Sequence, residues 1–207
     1  MLFRSFDCFE MSSVKETNIS SLNTNAYLDE QTFSFNSDLY SNCPDNVSLV
    51  GYFQTEKYFK NIEEQIRKDF TFKSDILNPC KEMFSSLETE KVISLHVRRG
   101  DYLINPNNHP TCGIEYYKNA LQKFDDYDKV LIFSDDVEWC NQQDIFSGDK
   151  FLISEGNSNY VDLCLMTFCS GHIIANSSFS WWGAWLSNGK QVVAPQKWFG
   201  SALEHKD

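Results

Sequence analysis

KVISLHVRRGDY, residues 91–102, joins a short run rich in β-branched residues to two arginines, a glycine and an aspartate. The run is too short for an ordinary helix, so 91–97 reads as a buried strand. The segment beyond the strand admits two readings. Arg99-Gly100-Asp101 is the tripeptide that adhesion ligands present on an exposed loop of a secreted protein. The same residues at the end of a buried strand would instead grip phosphate, and their place in the fold decides between the two.

Working outward, strand and helix patterns alternate. Downstream come a helix near 113–124, a strand at 129–134 (KVLIFS), a short helix at 136–142 and a strand at 150–153 (KFLI). A helix at 158–169 comes next, with Val161, Cys164, Leu165 and Phe168 on one face, then a strand at 171–175, a helix at 178–187 and a strand at 190–194. Upstream, Tyr58, Ile62, Ile66 and Phe70 recur at helical spacing through 55–70, and a second helix is expected at 75–87. Strands alternating with helices at this spacing predict an α/β fold with a doubly wound parallel sheet. Residues 12–46 are rich in Ser and Asn, lack periodicity and are expected to be irregular.

Composition removes several function classes. The net charge is −11, and before Gly51, the first glycine, only Arg4 and Lys15 oppose seven acids. A chain without a basic block is a poor match for nucleic acid, and an anionic ligand needs a local cationic pocket instead. Seven cysteines without a C-x-x-C pair suggest reduced thiols, not a zinc site or a disulfide framework. The opening MLFRSFDCFEMSS has no signal-peptide core, and no apolar run reaches the ~18 residues of a membrane span. The expected location is cytoplasmic, with peripheral association at the cytoplasmic face of the membrane as the alternative. Without export, the sequon at Asn176 reads as chance and the adhesion reading loses its setting.

Ligands of open parallel sheets bind beyond the carboxyl ends of the strands. Three unusual segments end strands there: HVRRGDY, SDD at 134–136 and NSSFS at 176–180. Arg98 and Arg99 offer planar forks for phosphate oxygens. His96 shares a pleat face with Arg98, and Asp101 can orient an arginine. Asp135 and Asp136 suit a base edge or ribose, or the cap of the next helix. Around Asn176, either Ser177 or Ser178 is expected to cap a helix whose first turn favours phosphate, with Ser178 and Ser180 hydroxyls adding bonds. Phe179, Trp182 and Leu186 fall at core spacing. The D-x-D at Asp126 and Asp128 lies on the wrong edge of the sheet for a metal site, and no metal is expected.

Taken together, GYFQTEKYF (51–59), HVRRGDY, FSDD (133–136) and ANSSFSWWGAWL (175–186) resemble the bacterial alpha-1,2-fucosyltransferases of glycosyltransferase family 11. The resemblance covers roughly residues 50–200 and implies a GT-B-like fold, with an acceptor-side region over 1–88 and a donor-binding α/β domain over 89–207. It implies GDP-fucose as donor, a galactose-containing glycan as acceptor, and inversion without a metal or other cofactor. By position, His96 and Arg98 would contact GDP, Arg98 would stabilise the leaving diphosphate, and Arg99 and Asp101 would shape the loop. Asp135 or Asp136 would read guanine or ribose, the 176–180 turn (Asn176, Ser177, Ser178, Phe179, Ser180) would add phosphate contacts, and Asp101 is the candidate base. The family's glycine-rich first strand has no counterpart before Gly51, so the acceptor domain is expected to be incomplete and the silent, GDP-sugar-binding alternative stays open.

Overall fold

The computed structural model describes residues 5–12, 26–187, 189 and 191–206. The 13–25 part of the segment expected to be irregular, with Lys15, lies outside the described residues, as does Arg4. Within the rest of that segment the chain forms β1 (Ala26–Asp29) and α1 (Ser37–Asn42), and β2 (Val47–Val50) comes after it. β1 and β2 pair in parallel, an arrangement that alternation did not signal. Asn36 caps α1, its Oδ1 accepting from the Leu39 N–H at 2.9 Å.

The helix expected over 55–70 is broken. Two 3-10 turns, Glu56–Tyr58 and Lys60–Ile62, precede α2 (Glu63–Asp69). Phe59, between the turns, has φ −136° and ψ 6°, outside the helical region. Its ring lies 5.7 Å from Trp182, stacked, and 5.5 Å from Trp185, edge-on. Phe70 stacks on Trp182 at 5.0 Å, so the indole is held between two phenyl rings. Aromatic packing of this kind outweighs a periodicity preference of a few tenths of a kcal/mol per residue, because each ring pair contributes about 0.5–1.5 kcal/mol beyond the area it buries.

From α3 (Ser74–Phe84) onward the expected alternation holds: β3 (Val92–Val97), α4 (Ile114–Leu121), β4 (Lys129–Ser134), α5 (Val137–Asn141), β5 (Phe151–Ile153), α6 (Asn159–Phe168), β6 (Gly171–Ile173), α7 (Ser178–Leu186) and β7 (Gln191–Val193). The five strands β3 to β7 are all parallel, in the order β5-β4-β3-β6-β7. Strand order therefore reverses between β3 and β6, which opens a crevice at their carboxyl ends.

Burial follows the strand period of two. Val92, Leu131 and Phe133 pack with α3, α6 and α7 on one face, whereas Ile93, Leu95, Val97, Val130 and Ile132 pack with α4 and α5 on the other. Phe72, Cys80 and Phe84 share the first of these cores with Val92, so packing continues without a break across residue 88. One polar chain crosses the core. Ser94 Oγ and Ser187 Oγ lie 2.7 Å from the two ring nitrogens of His172. Because Ser187 donates its proton to the Ala184 carbonyl, it accepts from Nε2–H, and Nδ1 accepts from Ser94.

Candidate functional site

The chain leaves the sheet at Arg98, and Gly100–Leu103 turn once as a 3-10 helix. The two arginines separate in role. Arg98 Nη2 donates to Asp101 Oδ1 at 2.5 Å and Nη1 to Asp135 Oδ2 at 2.8 Å, with the guanidinium 5.2 Å from the Tyr102 ring centre. Arg99 turns to the neighbouring loop: Nε donates to Asp136 Oδ2 at 2.9 Å, and the guanidinium lies 4.1 Å over the Trp139 ring. Asp135 also accepts the Arg99 backbone N–H at 2.9 Å. Gly100 is required by this closeness, since a Cβ there would stand 2.5 Å from Asp135 Oδ2.

Asp135 and Asp136, left with shared options by the sequence, divide cleanly. Asp136 caps α5, accepting from the Trp139 N–H at 3.1 Å through the oxygen that Arg99 does not use. Asp135 ties the arginine loop to the end of β4. Neither carboxylate is held by a metal-type cluster, and among the described residues no group of three or more His, Cys, Asp or Glu is placed to hold a metal ion. Asp126 pairs with Lys91, and Asp128 accepts the Lys91 N–H at 2.8 Å, at the amino edge of the sheet.

His96, the next-to-last residue of β3, faces the α7 side. It is 6% exposed, its ring lies 5.3 Å from that of Phe179, and its buried Nδ1 has no hydrogen-bond partner. Burial, then the charge of Arg98, pushes its pKa down to about 3, so the imidazole is neutral. A buried nitrogen without a partner at a cleft edge is a group that a ligand hydroxyl or N–H can satisfy.

In the turn after β6, the sequence grouped five residues that the structure separates. Asn176 is buried, with Nδ2 donating to the Pro110 and Trp198 carbonyls at 3.0 and 2.9 Å and Oδ1 accepting from the Cys112 thiol, so its side chain is a clasp between loops. That burial also removes it as a glycan acceptor. Ser177 occupies the N-cap position of α7 but makes no side-chain capping bond. Ser180 is buried and its hydroxyl turns back to the Ala175 and Ser177 carbonyls at 3.4 and 3.3 Å. Phe179 packs into the core on the α6 side. Ser178 alone of the five is exposed, at the first residue of α7, where a helix dipole is positive.

Two contacts unite the rims. β3 and β6 are adjacent strands, and the Tyr102 hydroxyl donates to the Asn176 carbonyl at 2.9 Å, joining the arginine loop to the turn that starts α7. Tyr102 lay inside the quoted motif without an assigned role, and its position four residues after Arg98 was the available signal. Trp139 had none, being forty residues from the arginine it supports.

An open parallel sheet whose order reverses beside a guanidinium loop and a helix N-terminus defines the class of doubly wound α/β folds, in which ligands sit beyond the carboxyl ends of the strands. Sequence comparison narrows that class: the profile of glycosyl transferase family 11 matches residues 10–207, and the chain belongs to this family. It is 39% identical over 165 residues to an alpha-1,2-colitosyltransferase of Escherichia coli, covering 74% of this chain and 57% of the relative. To the O-antigen biosynthesis glycosyltransferase WbnK of Escherichia coli it is 33% identical over 198 residues, covering 87% and 65%. The chain thus spans less than two thirds of the length of either relative. Its fold is GT-B-like and similar to that of POFUT1 crystallised with GDP-fucose, with TM-score 0.52 and 11% identity over 77% of this chain and 58% of that one. Among the described residues no helix is long and apolar enough to cross a membrane.

Proposed function

We propose that the chain acts in an inverting, metal-independent transfer of L-fucose from GDP-fucose to the 2-hydroxyl of a galactoside, with residues 89–207 holding the donor and 1–88 contributing to the acceptor side. The observation that carries this reading is the meeting of Arg98 and the start of α7 at the β3/β6 crevice, bridged by Tyr102 and Asn176. Family membership and the alpha-1,2 linkage in the name of the Escherichia coli relative support it.

The chemistry follows from charge. The acceptor oxygen forms a bond to the anomeric carbon as the bond from that carbon to the β-phosphate oxygen breaks, and negative charge gathers on the departing GDP. Arg98, with the amino end of α7, supplies fixed positive potential where that charge develops. Asp101 and Asp135 hold the guanidinium in place before the ligand arrives; the Asp101 end of this arrangement, half exposed, is the one that yields to a bidentate diphosphate. His96 Nδ1 takes a hydrogen bond from the donor. Asp101, half exposed beside Arg98, accepts the proton of the acceptor hydroxyl.

The test is incubation with GDP-fucose and lactose in the presence of a chelator, with product measured by mass spectrometry. Arg98→Ala is expected to lower turnover about 10²–10³-fold, the usual effect of removing one donor to a developing anion. GDP binding without transfer would instead favour a silent GDP-sugar-binding chain, and equal GDP affinity in the parent and Arg98→Ala proteins would overturn the site. GDP-colitose, whose sugar lacks the 3-hydroxyl of fucose, is the competing donor that the 39% identical relative recommends, and it belongs in the same assay.

A further inference from the structure

A cavity of about 640 Å³, whose lining includes no residue of the arginine loop, lies between the leading segment and α7. Its size falls in the range of ~300–1,000 Å³ typical of ligand sites. We infer that it is the seat of the acceptor, a pyranose ring of galactoside type stacked by its apolar face. This inference rests on the transferase reading above and names the subsite that reading leaves open.

Three observations carry it. The first is position. Ile174 and Ala194, which line the cavity, are the first residues beyond the carboxyl ends of β6 and β7, so it opens on the same edge of the sheet as the arginine loop. Ser178 lines it too, and the same residue begins the helix whose amino end faces the donor phosphate, so the two sites share a wall.

The second is the geometry of α7. Phe179, Trp182 and Leu186 pack on the sheet core, with Trp182 also bordering the cavity, and Ser178, Trp181 and Trp185, at positions i, i+3 and i+7, form a second stripe that faces it. Trp181 and Trp185 lie nearly parallel, 6.2 Å between centres with 12° between planes, and Tyr52 borders the cavity as well. Tyr52 is 78% exposed and adds little to the core. The indoles are partly engaged by the fold, Trp181 edge-on to Trp182 at 5.0 Å and Trp185 under the Arg67 guanidinium at 4.1 Å, which leaves exposed Tyr52 and half-buried Trp181 as the aromatic surface a ligand can reach.

The third is the character of the lining. Among the described residues that line the cavity, Glu56 bears the charge and no Lys or Arg is present. Lys60, 3.4 Å from Glu56 Oε1, and Arg67, 4.1 Å over Trp185 and 2.8 Å from Glu63, stand behind the lining already paired, so a phosphate meets no free cation on it. A purely hydrocarbon ligand would face the Glu56 carboxylate, which accepts from Trp185 Nε1 at 3.2 Å. A pyranose matches both features. Its C–H face carries slight positive charge and rests on the negative face of an aromatic ring, while its hydroxyls reach the carboxylate and Ser178. In galactose the axial 4-hydroxyl leaves H3, H4 and H5 together on one clear face.

The experiment uses the full chain with lactose as probe and GDP as control. Saturation-transfer NMR is expected to mark galactose H3, H4 and H5 most strongly. Tyr52→Ala and Trp181→Ala should each weaken lactose about five- to tenfold while GDP affinity stays within about twofold, one lost aromatic contact being worth roughly one kcal/mol. Unchanged GDP affinity shows each variant folded, and Tyr52→Ala serves alone if Trp181→Ala does not fold. Lactose bound equally by both variants would overturn the inference. So would GDP binding with no lactose binding in the parent, which leaves the nucleotide reading intact. Lactose binding that the variants weaken, in a chain that does not bind GDP, would uphold the cavity and sink the donor site.

Discussion

The five-stranded sheet and residues 26–59 ahead of it are held by different physics, although the chain on either side of 26–59, with Phe9, Phe72, Cys80 and Phe84, shares the sheet's core. β3 is buried on both faces along its whole length, with Leu95 fully enclosed, so each residue is ordered by transfer of apolar area from water. β1 and β2 form an isolated parallel pair whose Leu49 is 50% exposed, and a two-stranded unit of this kind is marginal by itself. What secures residues 26–59 is a set of point attachments. Glu30 accepts the N–H groups of Tyr52 and Phe53 at 2.8 and 3.1 Å, Phe33 stacks on Phe199 at 4.6 Å, and Phe59 enters the tryptophans of α7. The sheet is therefore a scaffold, and the segment is a cover fastened to it along one side of the aromatic cavity.

The largest expected effect tests that contrast directly. Leu95→Ala should cost about 2–5 kcal/mol, read as a lower urea midpoint, whereas Leu49→Ala should stay within about 0.5 kcal/mol. Equal losses would show that β1 and β2 belong to the same cooperative unit as the sheet.

Acid provides the next test, because His96 and His172 both lie in the sheet. Burial lowers the pKa of His172 to about 4 and, with Arg98, that of His96 to about 3, from an ordinary 6.5. The folded state therefore binds fewer protons than the unfolded one. The stability this represents is complete above about pH 6.5 and is lost as pH falls toward 4, at up to about 1.4 kcal/mol per pH unit for each histidine. Urea titrations from pH 7 to pH 4.5 should show this slope, and His172→Asn should flatten it. A slope unchanged in that variant would place the acid-sensitive group elsewhere.

The smallest effect sharpens the picture of the cover. Glu30→Gln weakens a charged acceptor and should raise amide exchange of Tyr52 and Phe53 by about fivefold, roughly 1 kcal/mol of local opening, with β3 and β4 amides unchanged. Faster exchange in the sheet as well would mean that the two regions open together.

Legibility followed the same division. β4 has the bounds read from KVLIFS, and the remaining sheet strands fall within two residues of expectation. In β3 and β4 two-sided burial leaves a dense β-branched signature, whereas the partly exposed edge strands β5 and β7 were legible from their place in the strand–helix alternation. AYLD and VSLV carry no such signature, since half-exposed strands are selected by little. The 55–70 periodicity misled because Phe59 answers to tryptophans more than a hundred residues away. At the site, the rim was legible from strand ends, but the division of labour was not. Whether Asp135 or Asp136 caps a helix, or whether the Ser180 hydroxyl faces a cleft or its own backbone, depends on rotamers that spacing does not encode.

The bond from the Tyr102 phenol to the Asn176 carbonyl has a mechanical consequence. It is a tie rod between two loops whose anchoring strands are rigid, so the gap they frame is gauged by the length of one side chain. Parting the loops at that point means releasing the rod, at a cost of about 0.5–1.5 kcal/mol, the net worth of one hydrogen bond.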